Sequence, residues 1–172
     1  MRVIQDVKDR VLARLFTWVP WFSEQWAKKY AAKEFHDIPW TPLKKELSAC
    51  RVAIVTTAGV HLKSQLPFDM EDRDGDPSYQ AIPSSTLTEE LMITHKYYDH
   101  SDADKDINIV FPIDRFRELK EEGYVGELAS TYYSFMGHID GPHIATLIEK
   151  TAPEVAIRLK GEKVDAVFLT PA

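Results

Sequence analysis

Near the start of the chain, large apolar residues recur at the spacing of one helix face. Seven of them are separated by three or four positions. They are Ile4, Val7, Val11, Leu15, Trp18, Phe22 and Trp26. Pro20 removes a backbone hydrogen bond and should kink or split this helix. The pattern predicts a helix over residues 1–34, within an N-terminal extension 1–37 that packs on the domain or on a second subunit. A membrane-surface helix is the alternative, which the interspersed acids disfavour.

From residue 38 onward, short apolar runs alternate with polar turns. Residues 52–55 form a continuous run rich in β-branched side chains, which predicts a strand buried on both faces. Residues 164–169, an apolar run apart from Asp165, predict another buried strand. Shorter strands are predicted at residues 91–94, 107–110 and 132–136, and the polar segment 64–90 is interpreted as a solvated loop or lid.

Two helices are predicted between these strands. Residues 112–123 have charged side chains on one face and end at a glycine. Residues 142–163 predict a second helix that restarts at Pro153 with Thr151 as the N-cap. Alternating strands and helices of this length predict an α/β domain over residues 38–172. Its expected architecture is a largely parallel, Rossmann-like sheet flanked by helices in three layers.

Composition narrows the classes of function. The chain is 44% hydrophobic and 28% charged, as in ordinary globular domains, and its net charge of −6 argues against nucleic acid as a partner. Cys50 is the only cysteine, so an intramolecular disulfide is impossible, and we expect it to be a small buried hydrophobe. We find no convincing targeting segment or membrane span, and a cytoplasmic location is expected.

Polar residues that can carry chemistry follow the predicted strands. Because ligands bind beyond the carboxyl ends of strands in open α/β sheets, these segments should meet at one rim. Four of the six histidines belong to this set. Its members are Thr57, Gly59, His61, Lys63, His95, Asp99, His100, Asp102, Asp106, Gly137, His138 and Thr170.

The segment 99–106 is rich in aspartate and also contains His100, and it has two interpretations. Asp99, His100 and Asp102 offer ligands for a divalent metal, while aspartates are equally common as turn and capping residues. The acidic segment 69–76 does not fit an EF-hand, because Met70 and Ala81 would occupy ligand positions. The chain has no phosphate-binding glycine loop, no Gly-x-Ser-x-Gly elbow and no cysteine pair.

Four stretches resemble the selenoprotein B family, whose members are subunits of the glycine, sarcosine, betaine and D-proline reductases. These stretches are VAIVTTAGVHLKSQLPFD, YYDHSDADKDINIVFPIDRFREL, YSFMGHI and VDAVFLTPA. The similarity extends from about residue 39 to residue 172 and looks greatest toward the D-proline reductase type. It implies a reductase of anaerobic metabolism in which a selenocysteine, or a cysteine, attacks the substrate or relays electrons.

The resemblance also implies where the reacting group lies. The family's Sec-x-x-Cys or Cys-x-x-Cys motif follows the strand that corresponds to VDAVFLTPA, so its first residue would be number 173, directly after Ala172. We therefore expect the chain to end at a UGA selenocysteine codon and to be inactive alone. His61, His95 and His138 are the candidate proton donors, and the other rim residues would bind substrate.

The partners implied are a small amino acid or amine as substrate, and other reductase subunits or a thiol electron donor. Self-association is expected through the final strand, as an open sheet edge or exposed apolar surface, or through the N-terminal helix. Two alternatives remain open from the sequence. One is a non-catalytic ligand-binding or assembly module, and the other is a metal-dependent hydrolase or lyase that uses the Asp/His cluster.

Overall fold

The computed structural model describes residues 41–171 and, nearer the N-terminus, Val11, Trp18, Val19, Trp21 and Glu24. The chain divides into two compact units, Met1–Lys44 with Lys96–Asp99, and Lys45–His95 with His100–Ala172. In the first unit, four of those five residues are helical, and the Lys96 ammonium lies 5.4 Å from the centre of the Tyr97 ring. The remainder of the helix expected over residues 1–34 lies outside the described residues, so the extension stays a prediction.

The second unit contains seven short strands. In chain order they are β1 (Arg51–Thr56), β2 (Val60–Leu62), β3 (Tyr79–Pro83), β4 (Leu91–Ile93), β5 (Glu127–Leu128), β6 (Thr131–Phe135) and β7 (Ala166–Thr170). The strands predicted around residues 52–55, 132–136 and 164–169 are confirmed as β1, β6 and β7. The α/β class is confirmed as well.

Strand β1 lies at the centre of the main sheet. Strand β7 runs parallel to it along one side, from the pair Val52 and Ala166 to the pair Thr56 and Thr170. On the other side, β5 and then β6 pair with β1, also in parallel. Strand β3 completes the sheet antiparallel to β6, so the sheet is mixed, where a largely parallel one was predicted.

The strand predicted at residues 91–94 is confirmed as β4, the strand predicted at 107–110 is not formed, and three strands, β2, β3 and β5, were not predicted. Residues 107–110 form a 3-10 turn, Ile107–Ile109, because the Asp106 carboxylate accepts a hydrogen bond from the Asn108 amide and caps it. Strand β4 pairs with β2 in a separate two-stranded sheet. Strand β3 lies within the segment interpreted as a loop, where its glutamine and proline obscured the apolar pattern.

The described helices of the second unit are α1 (Ile113–Glu121), α2 (His143–Thr146) and α3 (Ala152–Gly161). A π-helical turn, Leu147–Thr151, joins α2 to α3, so the chain stays helical between them, and α3 begins one residue before the predicted restart at Pro153. Thr151 occupies the predicted N-cap position of α3, but it has helical backbone angles and its side chain makes no capping hydrogen bond. Both predicted helices are otherwise confirmed within a few residues.

The two longer helices cover opposite faces of the sheet, as a three-layer architecture requires. On one face, Phe116 of α1 packs against Phe168 of β7, with ring centres 5.1 Å apart. Adjacent residues of a strand point to opposite faces. On the other face, Arg158 of α3 lies 5.9 Å from the centre of the Tyr79 ring, which packs on Tyr133.

The core lies around β1 and β6 and does not extend fully to β7. Ala53 and Ile54 are completely buried, and so is Cys50, as predicted for a small hydrophobe. Val167, Phe168 and Leu169 of β7 are 39%, 45% and 69% exposed, so the prediction of a buried final strand was wrong. Among the described residues, no helix is both long and apolar enough to cross a membrane.

Candidate functional site

The carboxyl ends of β1 and β7 are joined by hydroxyl groups. Both the Thr56 and the Thr170 hydroxyls donate to the Val110 carbonyl, at 2.9 and 2.8 Å. The Thr57 amide donates to the Thr170 carbonyl at 3.0 Å, and the Thr56 hydroxyl accepts from the Ala58 amide at 3.1 Å. Two neighbouring strands and the turn that contains Val110 are therefore fixed together where each strand ends.

Gly59 connects the end of β6 to the same rim. Its amide donates to the Phe135 carbonyl and its carbonyl accepts from the Thr94 amide, each at 2.9 Å. Its φ of +70° is one that glycine adopts readily, and a Cβ would lie 2.5 Å from the Thr94 carbonyl oxygen. The close approach expected of this glycine is therefore made to Thr94 within the chain.

His61 is buried and both of its ring nitrogens are engaged. Nδ1 lies 2.8 Å from the Leu62 carbonyl oxygen and Nε2 lies 2.7 Å from the Thr94 hydroxyl. Since a carbonyl can only accept, the geometry assigns the proton of the neutral ring to Nδ1 and leaves Nε2 to accept from Thr94. His61 thus holds β2 against the end of β4.

The structure brings together three of the predicted histidines. His95 is only 8% exposed, and its burial, followed by the charges of His138 and His100, lowers its pKa to about 4. At neutral pH the His95 ring is therefore uncharged. His138 follows β6 and its Nε2 lies 3.0 Å from the Arg73 carbonyl oxygen, while Nδ1 of His100 lies 2.8 Å from the Asp104 carboxylate.

The acidic segment 69–76 is docked beside this rim, a feature that the sequence interpretation as a solvated loop missed. The Asp72 carboxylate lies 2.9 Å from Nε2 of His143, and this hydrogen bond is the main reason that the pKa of Asp72 is lowered. Gly75 pairs with Ile139 so closely that a Cβ would lie 1.8 Å from the His138 carbonyl oxygen. Only the two turn glycines in the sequence hinted at this contact.

The aspartates after His100 are engaged in local structure. Asp102 forms an ion pair with Lys105 at 2.7 Å, and Asp106 caps the following turn. Within the part of the chain that the structure describes, no group of three or more His, Cys, Asp or Glu side chains is arranged to hold a metal ion. The divalent-metal site considered at Asp99, His100 and Asp102 is therefore not formed by these residues.

The remaining predicted residues are dispersed. Gly137 is exposed at the end of β6, next to His138, and Thr170 is half-buried at the end of β7. Lys63 is exposed beyond β2, where its amide donates to the Glu90 carbonyl. Asp99 belongs to the first unit.

Two buried hydroxyls on β6 were not predicted. The Tyr132 and Ser134 side chains are fully buried, and their hydroxyls have no hydrogen-bond partner among residues 41–171. Burial raises the pKa of Tyr132 to about 12, so the phenol stays protonated. A serine at an inward position of an apolar strand was the signal available in the sequence.

A polar cavity lies at the opposite ends of the strands. Its volume is about 460 Å³, and Lys45, Arg51, Glu127 and Asp165 contribute to its lining. Lys45 pairs with Asp165 at 2.8 Å, and Arg51 pairs with Glu127. Because these charges already neutralise one another, we place the candidate site at the threonine and histidine rim.

Comparison with known proteins places the chain among reductase subunits. The family model for glycine/sarcosine/betaine reductase selenoprotein B matches residues 10–172. D-proline reductase subunit gamma of Acetoanaerobium sticklandii is 44% identical over 131 residues, which cover 76% of this chain and 52% of that protein. No solved structure matches the chain at a significant level.

More distant relatives are components of related complexes. Glycine reductase complex component B subunit gamma of Symbiobacterium thermophilum is 33% identical over 86% of this chain and 34% of that protein. Sarcosine reductase complex component B subunit beta of Peptoclostridium acidaminophilum is 31% identical over 67% of this chain and 27% of that protein. The chain thus spans about half or less of the length of these relatives. By the extent of the family match, the chain belongs to the glycine/sarcosine/betaine reductase selenoprotein B family.

Proposed function

We propose that this chain forms the pocket of a reductase subunit that acts on a small amino acid or amine, and that a redox selenocysteine or cysteine adjoins the carboxyl end of β7. Family membership and the names of the relatives support the reaction class. The observation that carries the position is the pair of hydrogen bonds from Thr56 and Thr170 to the Val110 carbonyl. They hold the end of β7 beside the end of β1, at the rim where α/β folds bind ligands.

The residues around that position have separable roles in this proposal. Thr56 and Thr170 orient the strand end. His95, kept neutral by burial, serves as a hydrogen-bond donor or acceptor to a bound substrate, not as a cation. His138, at the end of β6 and only partly buried, is the candidate proton donor to the leaving group. The selenolate or thiolate would supply the nucleophile, and a second cysteine three residues later would resolve the intermediate as a Se–S or S–S bond.

The first test of this proposal is the coding DNA beyond codon 172. We expect an in-frame UGA or cysteine codon, then two codons, then a cysteine codon. The full-length protein, with the other subunits of its complex, should then reduce one of a panel that includes D-proline, glycine and sarcosine, with a dithiol as electron donor. Replacement of that selenocysteine or cysteine by alanine should abolish turnover. The absence of both codon patterns at that position would contradict the proposal, and so would full activity in the alanine variant.

The second test concerns His138. His138→Gln in the full-length protein should lower kcat by about 10²-fold or more, because general acid catalysis contributes that much. His143→Gln is the matched control: His143 is a partly buried histidine in the same segment, and its Nε2 is bonded to Asp72. An unchanged kcat for His138→Gln would show that His138 takes no part in the mechanism. The position of the redox residue would still be decided by the first test.

The second candidate function is a ligand-binding or assembly module without redox chemistry. It is favoured by the location of Cys50, the chain's only cysteine, which is buried just before β1 at the opposite end from the rim. Under this alternative, the full-length protein would bind an amino acid or amine and turn none over.

A further inference from the structure

The turn that leads to Val110 is tied to its surroundings by one side-chain amide. Asn108 lies within this turn, Ile107–Ile109, and both ends of its side chain are hydrogen-bonded. Its Oδ1 accepts from the Asp114 amide at 3.0 Å, and its Nδ2 donates to the carboxylates of Asp106 and Asp114 at 3.0 and 3.1 Å. Because a carboxylate only accepts and a backbone amide only donates, these partners fix the orientation of the side-chain amide.

Helix α1 depends on this contact, because its own N-cap residue cannot cap it. That residue is Pro112, whose side chain makes no capping hydrogen bond. The Asp114 amide in the first turn needs an acceptor from outside the helix, and Asn108 supplies it. The Asp114 carboxylate also accepts from Nη1 of Arg117 at 2.7 Å. Nη2 of the same arginine donates to two carbonyls that follow β3, each at 2.6 Å.

The same turn sets the position of the oxygen to which β1 and β7 are bonded. The Val110 amide donates to the Ile107 carbonyl at 3.1 Å, so Val110 follows any movement of the turn. The Val110 carbonyl accepts from the hydroxyls of Thr56 and Thr170 at 2.9 and 2.8 Å. A continuous path of bonds therefore runs from α1 through Asn108 and Val110 to the end of β7.

We propose that Asn108 is a positioning residue, which holds the Val110 carbonyl and through it the end of β7. This inference rests on the proposed function, which places the redox selenocysteine or cysteine directly beyond that strand. A nucleophile must be held close to the atom that it attacks, and a displacement of about 1 Å can lower the rate about 10²-fold. The alternative is a cap that only stabilises α1, in which case Asn108 and Thr170 would act independently.

The first measurement is hydrogen exchange, read peptide by peptide in the full-length protein with the other subunits of its complex. Asn108→Ala removes all three side-chain hydrogen bonds. The amides of β7 should then exchange about tenfold faster or more, and so should the Thr57 amide, which donates to the Thr170 carbonyl. Asn108→Asp is the second variant if the alanine variant does not fold. It keeps an acceptor for Asp114 but loses both donors, and it should also speed exchange at β7.

Glu90→Ala is the matched control for these variants. The Glu90 carboxylate accepts from the Leu87 amide at 3.0 Å, just before another turn of three residues, Thr88–Glu90. Its replacement removes a capping side chain of the same kind at a turn that does not contain Val110. We expect exchange at β7 to stay as in the wild type.

The second measurement is a double-mutant cycle on turnover by the same complex. Asn108→Ala should lower kcat about tenfold or more and leave KM unchanged, because it displaces the nucleophile and keeps the groups that bind substrate. Thr170→Val removes the last bond of the path. The double variant should have the kcat of Asn108→Ala alone, within about twofold, because both changes break the same path. Glu90→Ala combined with Thr170→Val should instead show the product of the two single effects.

Two outcomes would overturn this inference alone. One is unchanged exchange at β7 in every Asn108 variant that folds. The other is a double variant in which the effects of Asn108→Ala and Thr170→Val on kcat multiply, while the wild type reduces its substrate and loses turnover when the redox residue is replaced by alanine. A wild-type complex that turns over no substrate would overturn the proposed function, and this inference with it.

Discussion

The two edges of the main sheet, β3 and β7, are strands of equal length, but among the described residues only β3 is protected. On β3, the Gln65 amide nitrogen donates to the Ala81 carbonyl at 2.9 Å, and its oxygen accepts from the Leu62 amide at 2.8 Å. The strand ends at Pro83, which cannot donate to a further strand. Strand β7 has neither device and has three exposed apolar side chains.

This difference shows that the composition of an edge strand indicates whether its outer side is suited to water or to a partner. Strand β3 is partly polar and is closed on its outer side by a neighbouring glutamine. Its outward hydrogen-bonding groups are therefore satisfied by water and by the chain itself. Strand β7 has the composition of an internal strand while it occupies an edge, which is the pattern expected if a partner covers it.

The largest effect expected from this comparison comes from truncating one apolar side chain on each edge strand. Ile82 of β3 is fully buried, so Ile82→Ala should lower the free energy of unfolding by about 3 kcal/mol through lost burial and a residual cavity. Leu169→Ala on β7 should lower it by no more than about 0.5 kcal/mol in the monomer. Urea unfolding at low protein concentration measures both. Equal losses would mean that β7 is as deeply packed as β3.

The next effect tests the protection of the β3 edge. Gln65→Ala removes the partners of both the Leu62 amide and the Ala81 carbonyl, and should cost about 2 kcal/mol. Gln80→Ala is the control, because the Gln80 side chain donates one exposed hydrogen bond, to the Leu66 carbonyl, and should cost less. If Gln65→Ala also makes the protein self-associate through β3, the glutamine is an edge guard; equal stability of the two variants would show that it is not.

A smaller effect is expected at the side-chain hydrogen bond that joins the end of β7 to Val110. Thr170→Val deletes the hydroxyl that donates to the Val110 carbonyl but keeps the side-chain shape. It should cost about 1 kcal/mol, because Thr56 still donates to the same oxygen. Hydrogen exchange should report faster opening of β7 next to Thr170 and no change at β3. If hydrogen exchange is unchanged at both edges, the Thr170 hydroxyl does not help to hold β7 in place.

Whether a strand or helix could be predicted depended on whether its packing leaves a pattern of apolar residues within its own segment. The β-branched run of β1 and the periodicity of α1 predicted those elements well, because each is buried within its own domain. Strand β3 was missed because its protection relies on Gln65, fourteen residues before Tyr79, and such a contact leaves no periodic trace. The burial of β7 was mispredicted because an apolar run does not say which partner covers it.

The site followed the same rule. Strand order placed Thr170 and His138 at the carboxyl ends of β7 and β6, which both run parallel to β1. His95 follows β4 of the separate antiparallel sheet, so its position near His138 is set by tertiary contacts. The bonds of His61 and the docking of Asp72 on His143 arise from β2, β4 and a long acidic loop, whose paths are set by tertiary contacts. Ser134 was overlooked because a single hydroxyl in an apolar strand carries no motif.

The smallest effect concerns the turn that leads into β7, which ends its helix in the same way as the turn after α1. In α3 the Val164 amide donates to the Leu159 carbonyl, a pattern that places Lys163 in a left-handed conformation with φ of 58°. After α1 the equivalent position is Gly123, with φ of 80°. A lysine there bears a steric cost that glycine does not.

Lys163→Gly should therefore raise the free energy of unfolding by about 0.5–1 kcal/mol, after the greater entropy of glycine in the unfolded chain is subtracted. Gly123→Ala is the mirror experiment and should lower it by about 1 kcal/mol, although nothing lies within 4 Å of the added Cβ. Urea unfolding of the two single variants measures both signs. If Lys163→Gly is neutral or destabilising while Gly123→Ala costs the expected amount, then the Lys163 side chain makes an interaction that offsets its backbone strain and stabilises the turn before β7. The β7 edge would then be less exposed in solution than the strained turn beside it suggests.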